Sequence, residues 1–246
     1  MRFVTDTHAH TLVSGHAYST MNEMLMAAAE HGMQLLALTE HAPAMPGTCH
    51  PIYFENFKVV PRNRYGIELL LGTELNILNP DGEVDLPEET LGKLDLVIAS
   101  LHGPCYGLDH TKEENTQAYL NVMQNPYIHI IGHPDDGRFP VDYDKVVYMA
   151  KETGTLLEVN NASLHPGGFR KDTKKNAAEM LQYCKRYQTP IVVGSDAHVD
   201  TEAGRFPYVE ELLTEIDFPE ELVVSTSVEL LKEHIACKRR AFGFTL

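Results

Sequence analysis

Leu35-Leu36-Ala37-Leu38-Thr39-Glu40-His41 is the stretch on which the fold turns: four apolar residues, then three polar ones. A near-continuous apolar run of this length suits a strand buried on both faces of a parallel sheet. Its polar ending places chemistry at the strand's C-terminal end. The pattern recurs at Phe3–Asp6, Ile67–Gly72, Leu94–Ala99, Ile128–Gly132, Thr155–Val159 and Ile191–Gly194. Amphipathic segments fall between the runs, at Met21–His31, Lys112–Met123, Tyr143–Glu152 and Lys174–Arg186, with Gly32 and Gly154 where helix C-termini belong. Seven strands alternating with helices predict an α/β fold, either an open sheet or a closed barrel. No Gly-x-Gly-x-x-Gly or P-loop follows any run, which weakens the nucleotide-binding open sheet. Polar residues at the strand ends favour a barrel whose site collects at the C-terminal rim, irregular because it has seven units rather than eight. Asn79-Pro80-Asp81-Gly82 reads as a hairpin turn after the third strand.

The chain has 246 residues, 35 acidic against 20 basic, for a formal charge of −15. We expect a single domain over residues 1–246. The acidic surplus argues against a nucleic-acid partner or an anionic membrane surface, because both need clustered Lys and Arg. No apolar run approaches a spanning helix, and the first residues lack the cationic and apolar regions of a secretory signal. Cys49, Cys105, Cys184 and Cys237 lie far apart, which fits reduced thiols in a cytoplasmic protein.

The 13 histidines carry the functional reading. The strand ends run Asp6-Thr7-His8-Ala9-His10, Thr39-Glu40-His41, Gly72-Thr73-Glu74, Ser100-Leu101-His102, Gly132-His133-Pro134 and Ser195-Asp196-Ala197-His198. In extended backbone residues i and i+2 project the same way, so His8 with His10, and Asp196 with His198, can each grip one site. His16 follows in the first loop, close enough to turn back over the rim. A lone His at a strand end is more often a hydrogen-bonded structural group. Convergence of several ligand types is different, since buried carboxylates and imidazoles are costly to assemble without a cation. The donor set, free of sulfur, suits Zn, Mn or Fe. Glu40 and His41 face opposite sides of their strand, and His41 is the expected ligand. Asp6, deeper in the barrel, is expected to orient a ligand imidazole. His31, His110, His129, His165 and His234 are expected to be structural or solvated.

These motifs, in this order, resemble those of the polymerase-and-histidinol-phosphatase (PHP) superfamily, and within it the YcdX-like stand-alone phosphatases. The likeness extends through His16-Ala17-Tyr18-Ser19-Thr20, Asn79-Pro80-Asp81-Gly82-Glu83 and Glu158-Val159-Asn160-Asn161. The resemblance implies a distorted, TIM-like (β/α)7 barrel with three divalent metal ions at its C-terminal rim, zinc first among Zn, Mn and Fe. Carried over by position, His8, His10, Glu74 and Asp196 hold one metal, and His16, His41 and His198 a second. Glu74 bridges to a third, completed by His102 and His133. It also implies phosphoester hydrolysis. On this reading a metal-bridging hydroxide, set by Glu74 and Asp196, attacks a small phosphomonoester with no covalent intermediate. His50 and Arg62, which match a His…Pro-Arg layout in the family pattern, and Asn161 are the expected substrate contacts. Arg138, Arg170 and Arg205 are further candidates for a bound substrate or inorganic phosphate. Ser14, Ser163 and Ser195 sit in no Gly-x-Ser-x-Gly elbow. The alternatives are an amidohydrolase-like C–N hydrolase and a non-catalytic, metal-stabilised binding domain. Apolar patches around Ile52–Val60 leave open a lid or a homo-oligomer interface.

Overall fold

The seven apolar runs pair in chain order. A computed structural model describes residues 1–241, and in it β1 (Thr5–Asp6), β2 (Leu35–His41), β4 (Ile67–Asn76), β5 (Leu96–Ser100), β6 (Ile130–Ile131), β7 (Leu156–Asn160) and β8 (Ile191–Gly194) form one parallel sheet. A two-residue strand, β3 (Asn63–Arg64), pairs antiparallel with the start of β4 and has no counterpart in the apolar pattern. The sheet curls until its ends meet: Ala9 bridges Ala197, Asp196 N–H donates to His8 O at 2.8 Å, and Thr7 Oγ1 donates to Val193 O at 3.2 Å. The architecture is the expected seven-unit barrel.

The connecting helices are α1 (Met21–Glu30), α2 (Ile52–Glu55), α3 (Glu88–Leu91), α4 (Gly103–Tyr106), α5 (Lys112–Val122), α6 (Tyr143–Thr153), α7 (Thr173–Tyr187), α8 (Pro207–Glu215) and α9 (Val228–Ala241). Thr20 with Glu23 and Thr111 with Glu114 form capping boxes at the starts of α1 and α5. Gly154, left-handed at φ 65°, closes α6 by donating its N–H to Ala150 O. The Asn79–Gly82 turn forms as read, with Gly82 N–H donating to Asn79 O at 3.1 Å and Ile77 bridging Val84.

Alternation along the strands divides the core in two. Leu36, Leu38, Leu69, Leu71, Val97 and Ala99 pack outward with the helices. The opposite face carries Val4, Leu35, Ala37, Leu70, Leu96, Ile98, Ile130, Leu156 and Val192, joined by Val228, Leu231 and Ile235 of α9. That inward face is apolar at the N-terminal ends of the strands and turns polar toward the C-terminal ends, at His41, Glu74, Asn76, Glu158 and Asn160. The C-terminal helix therefore closes the bottom of the barrel, and the ionisable residues gather at the top. Neither α8 nor α9 stood out in the sequence.

Beneath the barrel, His129 is buried with its Nδ1 accepting from Val97 N–H at 3.1 Å and its Nε2 3.2 Å from Arg239 Nε. Burial, then Arg239 and Lys238, holds its pKa well below the usual imidazole value. Unfolding lets this ring take a proton as pH falls below about 6.5. Its stabilising contribution is therefore present above that pH and lost below it, with a slope of up to about 1.4 kcal/mol per pH unit. Denaturant unfolding of metal-free protein at pH 7.5 and 5.5 should show His129→Gln declining less on acidification than wild type. Equal declines would mean that the folded state already carries a charged His129.

Candidate metal centre

Imidazoles and carboxylates from six strand ends and the first loop converge at the rim. Glu74, fully buried on β4, is the hub. Its Oε2 lies 2.8 Å from His41 Nδ1, 3.4 Å from His8 Nε2 and 3.5 Å from His10 Nε2, while its Oε1 lies 2.9 Å from His133 Nε2 and 3.2 Å from His102 Nε2. Asp196 Oδ1 lies 3.4 Å from His10 Nε2 and 3.6 Å from both His8 Nε2 and His198 Nδ1. His16 Nε2 meets His41 Nε2 at 3.2 Å, and the His16 and His198 ring centroids are 4.9 Å apart. All nine expected ligand positions thus face one another. Three sets of donors cluster within 4.8 Å: His8, His10 and Glu74; His10, His41 and His198; and His41, Glu74 and His102.

The donors fit divalent cations. His41 Nδ1 and Glu74 Oε2 are buried and lack any aligned hydrogen-bond partner, although they lie 2.8 Å apart. His8 Nε2 and His10 Nε2 face each other at 3.1 Å. Leaving such groups uncompensated is costly, and an ion between them relieves the cost. Burial, reinforced by His41 and His198, lowers the pKa of His10, and burial likewise lowers those of His16 and His102. Neutral rings offer the lone pair a metal needs. Burial opposes charge on Glu74 and Asp196, yet His102, His8 and His41 pull the first well below the carboxylate range, and His8 and Arg170 the second. His8 runs the other way. Burial disfavours its charge, but Glu158, Glu74 and Asp196 outweigh it and raise its pKa. Positive charge at Nε2 is what those carboxylates demand.

The rings are held by buried partners behind them. Glu158 Oε1 contacts His8 Nδ1 at 2.8 Å, and its Oε2 accepts from His133 N–H at 2.8 Å and Asn160 Nδ2 at 3.0 Å. Asn76 Oδ1 holds His102 Nδ1 at 2.8 Å, and Ser14 Oγ holds His10 Nδ1 at 3.1 Å while donating to Glu40 Oε2 at 2.6 Å. Such contacts select the tautomer and orient the opposite nitrogen. Gly194 makes room: a Cβ there would sit 2.0 Å from Glu158 Oε1. His133 and Asp196 adopt positive φ, 30° and 55°, a backbone strain of about 1–3 kcal/mol each that the surrounding packing must hold.

A family model described as "PHP domain" matches residues 6–164. The chain belongs to the PHP family. A "Probable phosphatase" from Acetivibrio thermocellus is 46% identical over 239 residues, covering 97% of this chain and 98% of that one. Another from Caldanaerobacter subterraneus subsp. tengcongensis is 43% identical over 243 residues, covering 99% and 95%. Among solved structures, histidinol phosphate phosphatase from Lactococcus lactis, complexed with Zn, L-histidinol and phosphate, superposes with a TM-score of 0.57. It is 20% identical and covers 98% of this chain and 94% of that one, a likeness of fold.

This PHP domain does not use every residue as its sequence suggested. Asp6 orients no imidazole: its carboxylate accepts from the backbone N–H groups of Ser195 (3.0 Å), His8 (3.3 Å) and Gly204 (2.9 Å), fixing the loops instead. Arg62 is not at the rim. It pairs with Asp95 at 2.5 Å and donates to Phe57 O and Val60 O, both at 2.7 Å, at the end of β4 opposite Glu74. His50 is exposed on a separate groove with Met21, Ile52 and Tyr53. The His…Pro-Arg layout carried no information about where the chain runs between β2 and β4. Asn161 stays beside the centre, but its Oδ1 caps α8, accepting from Tyr208 N–H at 3.1 Å. Arg205 lines that neighbouring cavity, whereas Arg138 and Arg170 line the cavity over the cluster. His31, His110 and His165 bond to nearby backbone away from the cluster. Local sequence rules give Glu158, Glu40, Asn76 and Ser14 no role as supports of the ligand rings. An acid inside an apolar strand run was the available signal for Glu158. Among the described residues no helix is long and apolar enough to cross a membrane.

Two substitutions test this division. Glu158→Gln should weaken metal affinity about 10–100-fold, read by chelator competition, with the far-ultraviolet circular dichroism spectrum retained. Arg62→Met should cost about 1–2 kcal/mol of stability while leaving metal content at the wild-type value; a selective loss of metal would return Arg62 to the site.

Proposed function

We propose that this PHP domain is a metal-dependent phosphatase that hydrolyses a small phosphomonoester at a centre of three divalent ions, zinc foremost. The observation that carries the reading is Glu74, whose two carboxylate oxygens are divided between the His8–His10–His41 side and the His102–His133 side. On this reading His8, His10, Glu74 and Asp196 hold one ion, His16, His41 and His198 a second, and Glu74, His102 and His133 the third. Bound ions of this kind lower the pKa of water toward neutrality and neutralise charge on the phosphoryl and departing oxygens. The relatives named probable phosphatases, and the zinc and phosphate of the L. lactis structure, support the reading.

The chain's own residues account for the remainder. Arg170 is held by Asp196, with Nη2 to Oδ2 at 3.0 Å, and its buried Nε lacks a hydrogen-bond partner. It lines a cavity of about 580 Å³ beside His102 and His198, where a phosphoryl oxygen can accept from it. Ser14, Ser163 and Ser195 are each engaged within the fold. Ser14 Oγ donates to Glu40, Ser163 Oγ to Asp135 and Ser195 Oγ to the His8 carbonyl. On this reading water is the nucleophile.

Elemental analysis of desalted protein should give a divalent metal total near three per chain, and phosphomonoester turnover should follow reconstitution. A reproducible total of one or none after reconstitution would sink the three-ion centre. Glu74→Gln should lower the metal total and reduce kcat by about 100-fold or more, the scale of removing a charge-stabilising group. Arg170→Met should raise KM for a phosphomonoester about tenfold or more, as expected for a lost hydrogen bond to a charged group.

A further inference from the structure

The cavity above the cluster has two unlike ends. Its floor is the imidazole and carboxylate centre; its outer wall is Met45, Pro46, Pro104, Ala162 and Phe169. The charged groups on that wall each have an ion-pair partner. Arg138 is clamped by Asp136, Nε to Oδ1 and Oδ2 at 3.0 and 2.9 Å and Nη2 to Oδ2 at 2.5 Å. Arg170 is paired with Asp196, the one carboxylate lining the cavity among the described residues, and that carboxylate faces the cluster. A substrate ammonium would find no acid to receive it on the outer wall, and a second substrate anion would compete with Asp136 for Arg138.

Phe169 supplies what the wall does offer. Its ring is placed by two guanidinium groups, Arg138 at 4.7 Å and Arg170 at 5.4 Å from the ring centroid. Even so held, it is 71% exposed, and among the described large hydrophobic residues Tyr18 alone is more exposed. An apolar ring pinned at the mouth of a cavity, with its free surface unburied, offers a face on which another ring can stack.

We propose that the leaving group of this enzyme is an uncharged aromatic group seated against Phe169, so that its substrates are aryl or arylalkyl phosphomonoesters rather than amino-alcohol phosphates. The proposal rests on the phosphatase reading above. Water adds to phosphorus and the P–O bond to the organic group breaks. The departing oxygen takes a proton, and the products are the alcohol and inorganic phosphate.

Benzyl phosphate and 2-aminoethyl phosphate both release alkoxides, so their comparison reports on the wall more than on leaving-group chemistry. With metal-reconstituted protein, kcat/KM should favour benzyl phosphate by about tenfold or more, the size of an aromatic contact. Phe169→Ala should collapse that ratio to within about twofold, and Phe169→Tyr, which keeps the ring, should preserve it. Equal or reversed preference in wild type, or a ratio untouched by Phe169→Ala, overturns the proposal. If neither ester is hydrolysed, the phosphatase reading fails by itself. Calorimetric binding of benzylphosphonate against 2-aminoethylphosphonate then decides the aromatic seat. Tighter benzylphosphonate binding that is lost in Phe169→Ala supports it, and equal or absent binding refutes it.

Discussion

A single buried carboxylate shared among five imidazoles is the constraint that the rest of this barrel serves. Glu74 cannot sit fully buried among ring nitrogens at 2.8–3.5 Å unless every ring is aimed and every charge answered. The aiming is done from behind. Glu158, Asn76 and the Ser14–Glu40 pair grip His8, His102 and His10 by the nitrogen that faces away from the cluster. The cost of gathering these groups is offset elsewhere in the barrel. Below the polar layer the same inward face is aliphatic, and α9 packs Val228, Leu231 and Ile235 against it. The bottom of the barrel provides rigidity for a top that, without cations, works against folding.

Electrostatics divides in the same way. With a formal charge of −15 the molecule as a whole repels an anion. At the rim, however, the buried carboxylates are outnumbered by imidazoles and faced by Arg170, so the local field is set by what those groups hold. Local focusing over a few ångströms prevails over a screened global charge, because the Debye length at physiological salt is about 8 Å. The left-handed backbone at His133 and Asp196 belongs to the same arrangement. Both residues sit where a strand gives way to the rim and contribute side chains to the cluster.

Which residues reached the centre and which did not follows from how each was read. His8, His10, His41, His102, His133, Asp196 and His198 were legible because each lies within a few residues of the C-terminal end of an apolar run, and alternation pairs His8 with His10 and Asp196 with His198. Glu74 was legible for the same reason. Arg62 was misplaced because it lies in the irregular chain between β2 and β4. No periodicity constrains direction there, and its partner, Asp95, is 33 residues away. Asp6 had the right parity, but its depth in the barrel brought it to backbone N–H groups rather than to a ring. Glu158 was hidden by its own burial, since only the folded neighbours of His8 show why an acid belongs inside β7.

The sequence by itself determined the parallel strands, their order, and the kinds of donor at their C-terminal ends, because those depend on burial and on a two-residue repeat. Tertiary structure alone decided that β1 meets β8 and that α9 closes the floor. It also decided which carboxylates touch rings and which touch backbone, and that Phe169 stands exposed over the cluster. Those facts depend on contacts between residues far apart in the chain. Local sequence rules carry no information about such distances until the barrel has closed.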